Sequence, residues 1–342
     1  MQPQKKILKS WILLTSKLIL VGLLLWWLLH TGRMDFSTSA ELFKNTSLLI
    51  FGFTLWLFGS LIFQSLRWWL IMREMKIAPT IHAALRFNLI GLLFNTVMPG
   101  SVGGDLVKAF YVCKERPKIN KTTAVLSVAL DRILGLYALV AMGLVGFIFN
   151  TNLILENLTL SLSAGAIFAL FISMTAFFYL VMTENHWVAK YRTQFFNISQ
   201  IKLFQQVANA LKYFQGRSHQ LFAPFVLSFM FQLFYALYCY FVTVSLVKTP
   251  FDPYLMLSIV PFSVIIASLP ISPAGIGVGH VAFDQFYALV GIAGGSNVFN
   301  IILISQLIPN LLGIFPYLLA GGRNSSIDMD SETEEAKSSQ AQ

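Results

Sequence analysis

Residues 94 to 118 read FNTVMPGSVGGDLVKAFYVCKERPK, and they place helix-breaking Pro-Gly and Gly-Gly pairs with a charged Asp105 inside a long apolar region. Proline and glycine interrupt helices, and a carboxylate is costly in a hydrocarbon environment. Broken backbone is tolerated at membrane depth only where protein or a water-filled cavity satisfies its polar groups. The stretch therefore predicts a broken helix beside a polar cavity.

The composition of the whole chain indicates an integral membrane protein. Of its 342 residues, 56% are hydrophobic, 14% aromatic and only 11% charged, and the mean hydropathy is +0.69. Soluble domains are far more charged and less apolar. The net charge of +9 is better explained by basic loops and anionic lipid headgroups than by nucleic acid. Cys113 and Cys239 match no metal or redox spacing, and we assign them no role.

Apolar runs of about 20 residues predict six full transmembrane spans. The first run follows a basic flank but has no cleavage site after it, so we interpret it as an uncleaved span. The sequence thus predicts an all-α polytopic integral membrane protein, with an acidic, disordered tail after the membrane domain. The membrane domain covers residues 1–322 and the tail 323–342, and the predicted spans are 11–29, 48–72, 123–149, 158–182, 222–247 and 301–320.

The distribution of Lys and Arg predicts the orientation of the spans, because basic loops stay on the cytoplasmic side. The N-terminus, the region after the second span and the loop 183–221 are rich in basic residues. The loops 30–47, 150–157 and 248–254 have few or none. We therefore expect both termini in the cytoplasm and the protein in the cytoplasmic (inner) membrane of a bacterium.

This alternation requires two apolar segments to enter the membrane and return to the same side. Residues 83–111 are expected to enter from the cytoplasm and residues 254–294 from outside, as re-entrant hairpins of broken helices. Their breaks read MPGSVGGD (98–105) and SPAGIGVGH (272–280). Each hairpin with its flanking spans forms half of a predicted inverted repeat, an architecture of transporters in which the breaks indicate the site.

The first break has the features of an anion site. Gly100, Gly103 and Gly104 let the chain turn and leave amides uncovered, and the helix starting near Asp105 points the positive end of its dipole at the break. Lys108, one turn later, is placed to pair with a phosphate or with Asp105. The alternative is that Asp105 caps a cytoplasmic helix and Lys108 is its solvated neighbour.

Two further polar pairs lie within apolar segments. Asp131 and Arg132 are one to two turns inside the third span, where ionisable groups face a partner or a cavity. Alternatively, both lie at the interface and Arg132 extends to the headgroups. Asn88 and Asn95 either line the same cavity as Asp131 or satisfy the backbone of the hairpin.

Three other polar residues are interpreted more simply. His280, at the end of the second break, and Gln306, inside the last span, are typical of hydrogen bonds between helices. Arg67 and the two tryptophans after it are typical of a cytoplasmic aromatic belt rather than of a substrate site.

Three motifs in order resemble the flippase-like membrane family that includes the transmembrane domain of lysylphosphatidylglycerol synthase. They are NTVMPGSVGGDLVKAFYV, AVLSVALDRILGLYAL and LPISPAGIGVGH, and the resemblance runs from about residue 10 to 320. Many members have a Glu just after the last motif, where this chain has His280. The family motifs correspond here to Pro99, Gly100, Gly103, Gly104, Asp105, Lys108, Asp131, Arg132, Pro273, Gly275 and Gly277.

The resemblance implies movement of a lipid between leaflets, in a chain without the synthase's soluble aminoacyl-transferase domain. The expected cargo and partner is a membrane lipid with an anionic headgroup, such as a phospholipid or a polyprenyl phosphate. Its head would enter a cavity between the hairpins and contact Asp105, Lys108, Asp131 and Arg132. The sequence has no P-loop, so we expect neither ATP hydrolysis nor any cofactor or metal.

Two other classes of function remain open. An inverted repeat equally permits a secondary transporter of a small anionic solute. A membrane enzyme acting on lipid-linked phosphate or sugar would use Asp105 and Asp131 as catalytic carboxylates. No nucleophile–base constellation, metal cluster or nucleotide motif accompanies these two acids, so we expect a protein that is not an enzyme.

Overall fold

The computed structural model describes residues 45–97, 103–183, 210–247, 251–269 and 275–319, and every regular element in these ranges is helical. Two helices change type along their length: α1 is π-helical over Trp56–Phe63, and α10 has a 3₁₀ turn at Leu311–Gly313. Short 3₁₀ turns at Lys212–Phe214 and Ser218–Leu221 precede α7. The helices are α1 (Thr46–Glu74), α2 (Ile81–Val97), α3 (Gly103–Glu115), α4 (Lys121–Phe149), α5 (Thr151–Glu156), α6 (Leu158–Met182), α7 (Phe222–Val247), α8 (Tyr254–Ala267), α9 (Val278–Leu289) and α10 (Gly295–Leu319).

Asparagine side chains begin three of the long helices, because their short amide oxygen accepts from the uncovered amides of the first turn. Asn45 accepts from Leu48 N at 3.2 Å at the start of α1. Asn120 accepts from Thr122 N at 2.9 Å before α4, and Asn157 accepts from Thr159 N at 3.0 Å before α6.

Five helices are long and apolar enough to cross a membrane: α1, α4, α6, α7 with the turn before it, and α10. They match five of the six predicted spans to within about six residues at each end. The first predicted span, 11–29, and the predicted tail, 323–342, lie outside the described residues. The chain is therefore an all-helical integral membrane protein.

Two shorter helix pairs occupy the positions of the predicted hairpins. In the first, Arg86 near the start of α2 pairs with Glu115 at the end of α3, with Nη2 and Oε2 2.9 Å apart. The two helices therefore run antiparallel and share one end. At 17 and 13 residues they are about 26 and 20 Å long. In the second hairpin, α8 and α9 have 14 and 12 residues and also pack on each other.

Each hairpin is bound by the last span of the other half, which is α4 for the first half and α10 for the second. Asn150, just after α4, donates from Nδ2 to the Tyr254 carbonyl and to Ser258 Oγ of α8, each at 3.0 Å. In the same way, Asn310 of α10 donates to Thr96 Oγ1 of α2 at 3.0 Å. Thus α4 packs on α8 while α10 packs on α2, and α1 packs on α7 between them.

Candidate functional site

A buried ion pair joins α1 to α4. The Arg67 guanidinium donates from Nε to Asp131 Oδ1 at 2.6 Å and from Nη2 to Asp131 Oδ2 at 2.8 Å. This two-pronged geometry makes arginine–carboxylate pairs strong. The remaining nitrogen, Nη1, donates to Ser228 Oγ of α7 at 3.0 Å. Arg67 therefore connects three helices through one side chain.

The interpretation of Arg67 as part of a surface aromatic belt is wrong. Arg67 is only 6% exposed, and Trp68 beside it is fully buried. The physical reason is its depth: Arg67 lies about 10 Å along α1 from the helix end at Glu74, where Asp131 offers a partner inside the bundle. Asp131 is buried as well, and it faces a partner inside the bundle, as expected of an ionisable group within a span.

A second ion-paired group lies between α3 and α4. Asp105 Oδ2 accepts a short hydrogen bond from Arg132 Nε, and Asp105 Oδ1 lies 3.9 Å from Lys108 Nζ. Consecutive helical residues point about 100° apart, which lets Asp131 face α1 while Arg132 faces α3. Of the two partners expected for Lys108, a phosphate or Asp105, the structure places Asp105 within ion-pair distance.

Lys108 is buried, so the alternative in which it is a solvated neighbour of a cap is wrong. Its Nζ lies 5.7 Å from the centre of the Trp68 ring, a cation–π distance. The indole is fixed by a hydrogen bond from its Nε1 to Ser127 Oγ of α4 at 3.2 Å. Trp68 therefore contacts Lys108 with its ring face and α4 with its indole nitrogen.

We call Arg67, Asp105, Lys108, Asp131 and Arg132 the charged cluster. Among the described residues, these are the charged groups that act on Lys108. The cluster contains three basic and two acidic side chains, so it has one basic side chain in excess. Asp131 lies about 15 Å along α4 from its start at Lys121, so the cluster is well inside the bundle. Such a site attracts an anion.

The cluster reaches the outside of the bundle through Arg132 alone of its five members. The Arg132 side chain is 40% exposed, whereas the other four residues are buried. On the same two helices, apolar side chains are also exposed: Leu106 is 58% and Phe110 61% exposed on α3, and Val125 is exposed on α4, two turns before Arg132. A basic side chain is therefore exposed on helices that also expose apolar side chains.

Comparison with known proteins agrees with the three motifs. Residues 14–315 match the family described as the lysylphosphatidylglycerol synthase TM region. The chain belongs to this family. It is also 23% identical over 328 residues to a UPF0104 membrane protein of Pyrococcus horikoshii, an alignment that covers 90% of this chain and 96% of the relative. No solved structure matches the chain.

The two asparagines of the first hairpin satisfy backbone groups. Asn88 Nδ2 donates to the Ser60 carbonyl in the π-helical part of α1 at 2.9 Å, and Asn95 Oδ1 accepts from Gly104 N at 2.9 Å. The Gly104 amide is thus occupied, and the expectation that it faces an anion is wrong. Gly103 begins α3, and Asp105 in the same turn already supplies a negative charge to the helix end.

The described part of the second break, residues 275–280, forms a turn followed by the start of α9 and contains no Asp, Glu, Lys or Arg. Gly275 and Gly277 adopt left-handed backbone angles, with φ of 73° and 86°. His280 Nδ1 accepts from Gly277 N at 3.2 Å, and its ring packs edge-on against Phe299 at 4.8 Å between centroids. These contacts fix the turn, and none of the described contacts links His280 to the charged cluster.

Three family positions, Pro99, Gly100 and Pro273, lie outside the described residues. Within the described ranges, no three His, Cys, Asp or Glu side chains come together as a metal site would require. Arg67, Trp68, Ser127 and Ser228 are the site residues that the motifs did not indicate. The only sequence signal for them was a charged residue inside the second span.

Proposed function

We propose that this protein is a membrane lipid translocase that moves lipids with anionic headgroups, such as phospholipids or polyprenyl phosphates, between leaflets. It would act in the cytoplasmic membrane, with both termini in the cytoplasm and without enzymatic activity of its own. The observation that carries the proposal is the exposure of Arg132, which is connected through Asp105 to a buried cluster with more basic than acidic side chains.

The exposed apolar side chains of α3 and α4 favour a lipid over a soluble anion. A solute would need an aqueous route to the cluster, whereas a lipid can place its phosphate beside Arg132 and leave its tails along Leu106 and Phe110. Arginine suits this role because its planar guanidinium binds phosphate oxygens with two hydrogen bonds. The family takes its name from an enzyme whose product is a phospholipid derivative, which also supports a lipid cargo.

We also propose how the headgroup would cross. The two hairpins are re-entrant and belong to an inverted repeat, supported by the reciprocal packing of α4 on α8 and α10 on α2. Movement of one half against the other would expose the space between the hairpins to each leaflet in turn. The phosphate would compete with Asp105 for Arg132 on entry, and Asp105 would recover the arginine on release.

A vesicle assay tests the proposal. Purified protein is reconstituted with headgroup-labelled phosphatidylglycerol or phosphatidylcholine, and a membrane-impermeant reductant reports the label on the outer face. We expect the protein to make the inner-leaflet phosphatidylglycerol accessible and to act less on phosphatidylcholine. Arg132→Gln and Asp105→Asn should slow this exchange at least tenfold, because each removes a charge that the phosphate exchanges with.

Arg86→Gln is the matched control. Arg86 is an ion-paired arginine of the hairpin that contains Asp105, but it lies outside the charged cluster. It should leave the rate within about twofold. A label that stays protected in the presence of well-folded wild-type protein contradicts the proposal. If a labelled small anion such as phosphate crosses instead, the protein is a solute transporter.

A further inference from the structure

The second half of the chain carries an uncharged counterpart of the charged cluster. From the first break to the last span, the halves correspond at a constant separation in sequence, so that each residue of one half identifies a residue of the other. This separation is 174 positions. It relates residue 103, in the first break, to residue 277 in the second, and residue 121, at the start of α4, to residue 295 at the start of α10. It relates residue 131 to residue 305. The counterparts of Asp131 and Arg132 are therefore Ser305 and Gln306.

A small cavity lies at this second position, between the π-helical part of α1, α7 and α10. It is roughly the size of one water molecule. Ser305 lies about 15 Å along α10 from its start, the same depth as Asp131 in α4 but measured from the opposite face. The polar and aromatic side chains that line the cavity include Trp56, Ser60, Tyr235, Tyr238, Ser305 and Gln306.

The Tyr238 hydroxyl is the group that points to a ligand. Tyr238 is 1% exposed, yet its hydroxyl makes no hydrogen bond of normal geometry among the described residues, and Ser305 is the hydrogen-bonding side chain that acts on it. A Cβ at Gly52 of α1 would lie 2.7 Å from the Tyr238 oxygen, so only glycine leaves room for the hydroxyl there. A buried donor without a partner of normal geometry destabilises the folded protein, and a ligand oxygen would remove that cost.

The neighbouring Gln306 completes the donor set. Its side chain lies within hydrogen-bonding reach of Tyr235, so hydroxyl and amide groups line one part of the cavity, Leu55 and Phe231 line another, and no charged residue is among them. Such donors bind phosphate or hydroxyl oxygens but hold an anion less tightly than arginine and lysine do.

We propose that this cavity is a second headgroup site, at which the phosphate of the translocated lipid binds on its way to or from the opposite leaflet. The inference rests on the proposed function and adds the residues of the other half of the path. In the present conformation the charged cluster is open at Arg132 while the second site is closed around Tyr238. Separation of α1 from α7 would open it.

Because the two sites differ in charge, they bind an anionic headgroup with different affinities. The charged cluster binds the anion tightly on the face where α4 begins. The neutral site binds it weakly on the face where α10 begins, which favours release there. A lipid moved by this protein would therefore be bound firmly at one leaflet and released readily at the other.

Tyr238→Phe tests this second site, because it removes only a hydroxyl that makes no hydrogen bond of normal geometry in the described part of the protein. A structural role predicts unchanged or raised stability, since the unpaired hydroxyl is lost. We expect the rate of headgroup-labelled phosphatidylglycerol exchange in vesicles to fall about tenfold, which corresponds to about 1.4 kcal/mol. Binding of a short-chain phosphatidylglycerol to the protein in detergent should stay within twofold, because the charged cluster supplies it.

Tyr287→Phe is the matched control. The Tyr287 hydroxyl is buried in the same half, but it is paired with Thr243 Oγ1 at 3.2 Å and Met256 Sδ at 3.4 Å. Its loss should lower the melting temperature and leave the exchange rate of folded protein nearly unchanged. If Tyr238→Phe exchanges lipid as fast as wild type, the second site is wrong and the translocase proposal stands. If wild type moves no lipid, the translocase proposal fails, and the second site fails with it.

Discussion

At the scale of single residues, the Arg67–Asp131 pair makes the clearest prediction about stability. Arg67→Gln leaves the Asp131 carboxylate buried without its cation, and breaking one side of a buried pair costs about 3–5 kcal/mol. We expect a decrease of about that size in the free energy of unfolding, measured by denaturant titration in detergent micelles. Asp131→Asn should cost a comparable amount, because it leaves the buried guanidinium unpaired.

Two controls separate this pair from general effects of charge removal. Arg73→Gln removes an arginine from the same helix, where Arg73 is exposed and lies 3.3 Å from Glu74. Exposed pairs contribute little, so its effect should be below about 1 kcal/mol. The double variant Arg67→Gln with Asp131→Asn should lose less free energy of unfolding than the two single variants lose in sum. Strictly additive losses would show that the two residues act independently.

Single residues also show how far motifs can predict a site. Asp105, Lys108 and Arg132 were predicted as one polar lining, and they do lie in contact. Arg67 was misplaced, because an arginine near a helix end has the same sequence pattern whether it extends to the headgroups or turns inward. Its burial depends on Asp131 and Ser228, which come from distant parts of the chain.

At the scale of helices, the contact between α2 and α3 depends on glycine. A Cβ at Gly104 would collide with the Gly91 carbonyl oxygen and with the Asn95 side chain, both on α2. Gly104→Ala must therefore push α2 and α3 apart and break the hydrogen bond that the Gly104 amide donates to Asn95. We expect a loss of several kcal/mol of stability, seen as a lower melting temperature of the detergent-solubilised protein.

Gly165→Ala is the control for this substitution. Gly165 lies inside α6, and a Cβ there meets nothing within 4 Å. Because alanine forms helices better than glycine by about 1 kcal/mol, this variant should be as stable as wild type or slightly more so. Equal melting temperatures for Gly104→Ala and Gly165→Ala would show that α2 and α3 do not approach as closely as described.

Helix positions were predictable because long apolar runs carry their own boundary signals. The predicted span 158–182 coincides with α6, which begins after the Asn157 cap. The π-helical part of α1 was not predictable, since nothing in WLFGSLIF marks a change of helix type. Its Ser60 carbonyl is bonded by Asn88 of α2, a contact that exists only once the helices have packed.

At the scale of the whole molecule, the two halves share a plan but differ in charge. The Asp131 pair of the first half has Ser305 and Gln306 as its counterparts, and only the first half keeps ionised groups in the described interior of the bundle. Symmetric scaffolds give the two faces of a membrane equivalent openings, while asymmetric charge makes the openings bind an anion unequally. The proposed difference in affinity between the two faces therefore follows from residue differences and not from the fold.

The inverted repeat itself predicts which ends of the hairpins share a side of the membrane. Single cysteines are introduced at exposed positions into a Cys113→Ser, Cys239→Ser background, and a membrane-impermeant maleimide labels them from each side. We expect Lys76→Cys and Lys118→Cys, which flank the first hairpin, to react from the cytoplasm. Asp252→Cys and Asn297→Cys, which flank the second, should react only from outside.

This pattern distinguishes re-entrant hairpins from ordinary spans. If each hairpin crossed the membrane once, the two cysteines flanking it would be labelled from opposite sides. Such a result would remove the inverted repeat and, with it, the correspondence between Asp131 and Ser305. The expected pattern is labelling of positions 76 and 118 from one side and of positions 252 and 297 from the other. It would show that the two hairpins enter the membrane from opposite sides, as alternating exposure of a headgroup requires.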